Sequence, residues 1–347
     1  MLVYLHFQQY PIMNTTHAVI TAIGGYVPDT ILDNAALEKM VETTDEWIVA
    51  RTGIKERRIA SDPNMATSDM TALAIKDLIE KSGIDPTEID CLVLATSTPD
   101  RVLAPTAVVA CEKAGLTNAF GFDLNAACSG FLYALSTGAA FVESGRYKKV
   151  LVAGTDKMSS IVNYEDRNTC ILFGDGSGVV LLEASTDGAG LQDNIFRKDG
   201  KGVQFLSVPA GGSSLGSTED TIHQKQHFVQ QDGRTVFKNA IKGMTSACND
   251  VLQRNNLTAD DIDWVVPHQA NLRIIDAVGH NLGVAKEKVK VNIQRYGNTT
   301  AATLPLVLWD YQNDFKAGDK VLFTAFGAGF TWGASYAIWG NLRTQQN

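Results

Sequence analysis

The chain has 347 residues, 45% of them apolar, with 30 Lys and Arg against 38 Asp and Glu and a formal net charge of −8. That length supports two domain-sized cores or one large one. The acidic balance argues against nucleic acid as a partner, and no apolar run is long enough to span a membrane.

Taken in chain order, the opening "MLVYLHFQQYPI" is hydrophobic but lacks a basic start and a small-residue cleavage site, so it does not read as a signal peptide. Met13 precedes "NTTHAVITAIGGYVP", where strand-like alternation begins. Residues 1–13 are therefore expected to be an extension, either a disordered tail or a stretch upstream of the native start. A helical run, "MTALAIKDLIEKSG", leads into "IDPTEIDCLVLATS" at Ile84, where an acidic turn precedes the buried strand "CLVLAT". "DLNAACSGFLYAL" (123–135) places Cys128 before a small, apolar helix. A lone cysteine there would ordinarily be core. "KVLVAGTD" from Lys149 is a further buried strand, and "GDGSG" (174–178) reads as a tight turn into "VVLLE" rather than a phosphate loop, since it lacks the Lys-Ser/Thr pair. His223 and His227 in "IHQKQH" are spaced to share a helix face, but no third ligand lies nearby, so no metal is expected. Cys91, Cys111, Cys128, Cys170 and Cys248 are odd in number and have no C-x-x-C spacing, which points to a reducing cytoplasm rather than disulfides.

The second half repeats the first. "AIKGMTSACNDVLQRNN" is followed by "LTADDIDWVVPHQA" from Leu257, which mirrors the segment at Ile84; Asp90 and Asp263 stand 173 positions apart. "KVLFTAFG" from Lys320 mirrors "KVLVAGTD" at 171. The strands lack polar alternation, as strands buried on both faces do, so each half is an α/β unit: residues 14–185 and 186–347. An offset of about 170 carries Cys128 to Asn298 in "YGNTTAAT", also just before an apolar helix. Pseudo-symmetry then brings two helix N-termini together, where partial positive charge is expected to lower the Cys128 pKa. His268 in "VVPHQAN" follows a buried strand directly, at the edge where α/β sheets bind ligands.

These motifs, with "ETTDEWIVARTGI" (42–54), "AACSGF", "PHQANLRI" and "FGAGFTWG" in the same order, resemble the β-ketoacyl-[acyl-carrier-protein] synthase III family from about Ala18 to Leu342. The resemblance implies a thiolase-like α/β fold of two duplicated halves in five αβαβα layers, and a homodimer. It implies an acyltransferase that condenses an acyl-CoA primer with malonyl-acyl carrier protein and initiates fatty acid synthesis, with no metal or other cofactor. Cys128 matches the nucleophile, and His268 and Asn298 match its catalytic partners. Backbone N–H groups of Cys128 and Ala328 match an oxyanion hole; the family usually has glycine at the latter position. Trp47, Arg51 and Arg167 match coenzyme A contacts, and Phe326 lies beside the decarboxylation site. Lys238 and Arg273 match the carrier-protein dock. Leu103 and Ala104 align with a residue that closes the acyl pocket from the partner subunit. A related Cys-His-Asn enzyme of secondary metabolism is the alternative.

Overall fold

The computed structural model describes residues 16–343, so the expected extension at 1–13 lies outside the described residues. Two sheets form the frame. The first has the order His17–Tyr26, Asp175–Ser185, Val150–Lys157, Cys91–Ala95, Phe120–Leu124; its last three strands are parallel, and Asp175–Ser185 runs antiparallel to both neighbours. The second has the order Trp264–Pro267, Lys320–Gly327, Thr331–Ile338, Gly190–Lys198, with only the first pair parallel. Every residue of Cys91–Ala95 is buried, as its unbroken apolar run requires.

Helices Thr67–Ser82 and Thr106–Ala114 pack on the outer face of the first sheet, and Gly233–Arg254 with Leu272–Leu282 on the outer face of the second. Helices Gly130–Glu143 and Thr303–Tyr311 lie between the sheets and touch strands of both. The result is the five-layer αβαβα order, and the inner helices share one core with both sheets. Each fully buried aliphatic side chain there contributes roughly 1.5–3 kcal/mol.

The repeat is visible in detail. The 3-10 turns Pro86–Glu88 and Ala259–Asp261 occupy matching places before their strands. The Asp90 carboxylate accepts the Lys149 N–H at 3.0 Å, and the Asp263 carboxylate accepts the Lys320 N–H at 2.8 Å. Two short 3-10 turns, Ala127–Ser129 and Thr300–Ala302, lead into the two inner helices. The offset there is 173, so the mate of Cys128 is Ala301, and the mate of Asn298 is Asn125. The sequence offset of about 170 thus brought the right segments together but paired Cys128 with the wrong residue. At the centre, a Cβ on Gly154 would lie 2.2 Å from Ala301 O, so no larger residue fits beneath the Thr300–Ala302 turn.

Two local expectations differ. "GDGSG" is mostly strand, because Asp175 already belongs to Asp175–Ser185 and its carboxylate accepts from Ala60 and Ser159. His223 ends the helix Glu219–His223, so His227 is not on it, and His223 faces Glu219 instead. Among the described residues no cluster of three His, Cys, Asp or Glu side chains is arranged to hold a metal ion, and no helix is long and apolar enough to cross a membrane.

Candidate active site

Cys128 sits in the 3-10 turn that opens the helix Gly130–Glu143 and is 7% exposed. The hairpin at 327–331 clasps this turn. Ser129 Oγ donates to Thr331 O at 3.0 Å, and Thr331 Oγ1 lies 3.1 Å from both Ala126 O and Ala328 O. Gly327 must be glycine here: a Cβ would come within 2.7 Å of the Cys128 nitrogen. The clasp brings Ala328 beside Cys128, and both line one cavity of about 1020 Å³.

His268 and Asn298 line the same cavity. Strand Trp264–Pro267 delivers His268, whose N–H donates to Thr324 O at 2.8 Å. Its ring is buried, and burial lowers its pKa to about 3, so the imidazole is neutral. Nδ1 lies 2.7 Å from Thr303 Oγ1. Gln269 next to it is fully engaged, giving to Pro267 O and accepting the Asn292 and Ile293 N–H groups, which fixes the loop that carries the histidine.

Asn298 is pinned on three sides. Its N–H donates to Leu172 O, its carbonyl accepts from Gly174, and its side-chain Oδ1 accepts the Thr300 N–H at 2.9 Å. With the amide oxygen so engaged, the NH₂ is the group left for the cavity. Asn125 repeats this turn, with Oδ1 accepting the Ala127 N–H at 3.2 Å.

The Cys128 thiol does not have the depressed pKa expected of it. Burial pushes it up to about 12, the Asp156 carboxylate adds to the rise, and the hydrogen bond from its own backbone N–H opposes it only partly. Desolvation outweighs the helix terminus here. Asp156 is fully buried. Its Oδ1 accepts from Ser97 N at 2.7 Å and from the hydroxyls of Thr96 and Thr98, while Oδ2 accepts from Ala301 N at 3.0 Å and from the Thr300 hydroxyl. It therefore joins the segment that follows strand Cys91–Ala95 to the turn that carries Asn298. The only sequence sign of it was a carboxylate closing the buried strand "KVLVAGTD".

At the cavity mouth, the guanidinium carbons of Arg51 and Arg167 stand 4.6 and 5.0 Å from the Trp47 ring centroid. Trp47 and Arg51 line the cavity; Arg167 reaches it only through this stack and donates to Glu42 O. Asn271 Nδ2 holds Arg51 O at 2.9 Å, a link that sequence reading missed. Lys238 and Arg273 share the rim, with Arg273 5.1 Å over Phe237. Phe326 packs against Phe330 and lines the cavity beside His268. Leu103 and Ala104 are not brought to it: Leu103 is 92% exposed, and neither lines the cavity of its own chain.

Two family models for 3-oxoacyl-[acyl-carrier-protein (ACP)] synthase III match the chain, one at residues 122–200 and its C-terminal counterpart at 252–339. The beta-ketoacyl-[acyl-carrier-protein] synthase III of Phocaeicola vulgatus is 52% identical over 328 residues, covering 94% of this chain and 98% of its own. The chain belongs to the 3-oxoacyl-[acyl-carrier-protein] synthase III family. The family member from Porphyromonas gingivalis is 50% identical and covers 94% of this chain and 98% of its own. The solved synthase III of Aquifex aeolicus superposes with a TM-score of 0.85 at 38% identity, covering 93% of this chain and all of that one. The thiolase-like architecture expected from the motifs is thus the family's own.

Proposed function

We propose that this enzyme joins an acyl-CoA primer to malonyl-acyl carrier protein with loss of carbon dioxide, giving 3-oxoacyl-carrier protein at the start of fatty acid synthesis. The observation that carries the reading is one cavity lined by the thiol of Cys128, the neutral imidazole of His268 and the amide of Asn298, with Trp47 and Arg51 at its mouth. The curated synthase III relatives stand at 50–52% identity, and a priming ketosynthase of the R1128 polyketide pathway at 32%, which favours the fatty-acid role.

In the first half-reaction, Cys128 Sγ attacks the thioester carbonyl. The S–C bond to coenzyme A breaks, and the thiol proton of Cys128 ends on the departing coenzyme A sulfur. In this reading the backbone N–H groups of Cys128 and Ala328, which line the same cavity, donate to the tetrahedral oxyanion; a backbone donor needs no particular side chain, so alanine at 328 serves. In the second half-reaction, the malonyl C–C bond breaks and its electron pair forms an enolate. His268 Nε2–H and the Asn298 NH₂ hydrogen-bond to the enolate oxygen, and Phe326 keeps water from the site where carbon dioxide departs. The enolate carbon attacks the acyl-cysteine carbonyl, the C–S bond to Cys128 breaks, and the departing thiolate takes a proton from water to restore the thiol. The electrons come from the carboxylate that is lost, so the chemistry asks for no metal or redox cofactor.

The paired cations at Trp47 suit the phosphates and adenine of coenzyme A. Lys238 and Arg273 suit an acidic carrier protein, locally against the chain's net negative charge. Arg273→Glu should raise KM for malonyl-carrier protein severalfold and leave acyl-CoA kinetics unchanged; equal effects on both would contradict a carrier dock. Five buried, unpaired cysteines suit a reducing cytoplasm. A homodimer is proposed as the working form. The reading is tested by carbon dioxide release from malonyl-carrier protein that requires acyl-CoA, with a matching acyl mass on Cys128. His268→Ala and Asn298→Ala should keep the acyl mass and lose about 100-fold or more in condensation. Loss of acylation with condensation intact would reverse the roles.

A further inference from the structure

Thr303 opens the helix Thr303–Tyr311, and its hydroxyl faces two groups: His268 Nδ1 at 2.7 Å and Thr300 O at 3.0 Å. A hydroxyl has one hydrogen to give, and a neutral imidazole carries hydrogen on one nitrogen only. The two contacts therefore decide the histidine tautomer between them. If the hydroxyl gives its hydrogen to Thr300 O, Nδ1 must be the protonated nitrogen, and Nε2 faces the cavity as a lone pair. If it gives to Nδ1, Nε2 carries the hydrogen and faces the cavity as a donor.

The surrounding bonds favour the second arrangement. Thr300 O already accepts the backbone N–H of Thr303, so it does not depend on the hydroxyl. Nδ1 has no other partner among the described residues, and His268 is 1% exposed, so the Thr303 hydroxyl alone meets Nδ1 and the direction of that one bond fixes the tautomer. The repeat gives an independent observation. At an offset of 173, Ala95 stands where His268 does and Gly130 where Thr303 does. A Cβ on Gly130 would lie 3.1 Å from the Ala95 Cβ, so the two positions touch in both halves. In the half without the histidine the contact is apolar and small. Where the imidazole enters, a hydroxyl enters with it.

We propose that Thr303 is a positioning residue that selects the Nε2–H tautomer of His268 by donating its hydroxyl hydrogen to Nδ1. It touches neither substrate nor the reacting atoms. Its effect falls on the step in which His268 donates to the enolate oxygen, so the catalytic part of the inference rests on the function proposed above. The tautomer itself does not.

The test has two arms. Nitrogen-15 NMR of histidine-labelled enzyme, with the His268 signals assigned by comparison with His268→Gln, reads the tautomer without substrate and without any change at Thr303. The expected result is a protonated Nε2 and an acceptor Nδ1. A protonated Nδ1 overturns the proposal whatever the enzyme turns over. The second arm uses Thr303→Val, which keeps the shape and removes the hydrogen, and Thr303→Ser, which keeps the hydroxyl. Thr303→Val should acylate Cys128 at close to the wild-type rate and lose about 10- to 100-fold in condensation kcat, with little change in KM. Thr303→Ser should recover most of that loss and the wild-type tautomer. Wild-type condensation by Thr303→Val overturns the proposal, as does an equal loss of both half-reactions that Thr303→Ser does not recover. If the wild-type enzyme failed to release carbon dioxide, the functional reading would fall while the tautomer result stood.

Discussion

Ala127 and Thr300 hold the same left-handed backbone, φ 48° and 51°, at positions 173 apart, each at the head of the 3-10 turn that leads into an inner helix. Neither is glycine, and Thr300 is β-branched, so each conformation costs of order 1–3 kcal/mol and persists only because its surroundings enforce it. At both sites an asparagine two residues earlier caps the turn, through Asn125 Oδ1 and Asn298 Oδ1. The strained residue is thus what aims its preceding asparagine, and at Thr300 the enforcing group is Asp156.

Asp156→Ala should therefore cost about 3 kcal/mol or more, because it strands the buried N–H groups of Ser97, Thr98 and Ala301 that the carboxylate now accepts. It should also lower condensation more than acylation, since the released turn carries Asn298. Chemical denaturation and separate assays of the two half-reactions measure this. A variant as stable as wild type would mean that the turn holds itself.

The Cys128 thiol, pushed up to about 12, makes its own prediction. Well below that value, thiolate rises about tenfold per pH unit. Alkylation of Cys128 by iodoacetamide, followed by peptide mass, should climb log-linearly from pH 7 to beyond pH 9 without levelling. A plateau below about pH 8 would show a depressed thiolate in the resting enzyme and would restore the expectation drawn from the helix terminus alone.

Much of this site was legible in the sequence, and the missing parts share a physical cause. Cys128 and Asn298 stand just before an element whose apolar pattern is strong, and His268 just after one, so a chain read without coordinates still places them near one another. What pattern reading could not supply was distance across the fold. Asp156 joins Thr98 to Ala301, contacts 58 and 145 positions away in the chain. Thr303 looked like one more small residue in "NTTAATLP" until His268 appeared beside it. The Cys128 pKa went astray for the same reason: helix polarity is local and readable, whereas burial depends on the hairpin at 327–331, some 200 residues away. Arg57 is another case. It stands in the charged run "KERRIA", yet it is fully buried and gives hydrogen bonds to Leu32 O, Asn34 Oδ1 and Ile171 O, which tie the segment around Leu32 and Asn34 to the cavity wall at Ile171.

His268 links the site to acid stability. Burial lowers its folded pKa to about 3, while an unfolded histidine titrates near 6.5. Between those values the unfolded chain binds a proton that the native state does not, so stability falls as pH drops from about 6.5 toward 3. At full slope the loss is about 1.4 kcal/mol per pH unit from this one group, and none arises above pH 7. Denaturation midpoints of wild type and His268→Gln, compared from pH 7 down to pH 4.5, should diverge in that sense, with the variant less acid-sensitive. Parallel curves would mean that the ring gains a proton without unfolding.

The primer prediction rests on the loop that carries Leu103. Its ends are fixed: Asp100 accepts the Ser68 N–H at 3.0 Å, and the Asp123 carboxylate accepts the Thr106 and Ala107 N–H groups at 2.7 and 2.8 Å. Its tip presents Val102 and Leu103 at 94% and 92% exposure, an arrangement that suits burial against a second copy of the chain. In the proposed homodimer the family resemblance would bring this tip to the partner's acyl pocket, and from Ile48 to Ala119 the chain has no aromatic ring to act as a plug there. Leucine shortens such a pocket without closing it. Each further methylene of primer that finds room contributes roughly 0.8 kcal/mol, or about fourfold in kcat/KM. Isobutyryl- and isovaleryl-CoA should therefore be used better than acetyl-CoA, and Leu103→Phe should move the preference back toward acetyl while leaving carbon dioxide release from malonyl-carrier protein intact. Steady-state kcat/KM across acetyl-, isobutyryl-, isovaleryl- and octanoyl-CoA decides it. A wild-type enzyme that prefers acetyl-CoA to every longer primer would sink the open-pocket reading, and a Leu103→Phe variant with an unchanged series would show that another side chain sets the depth.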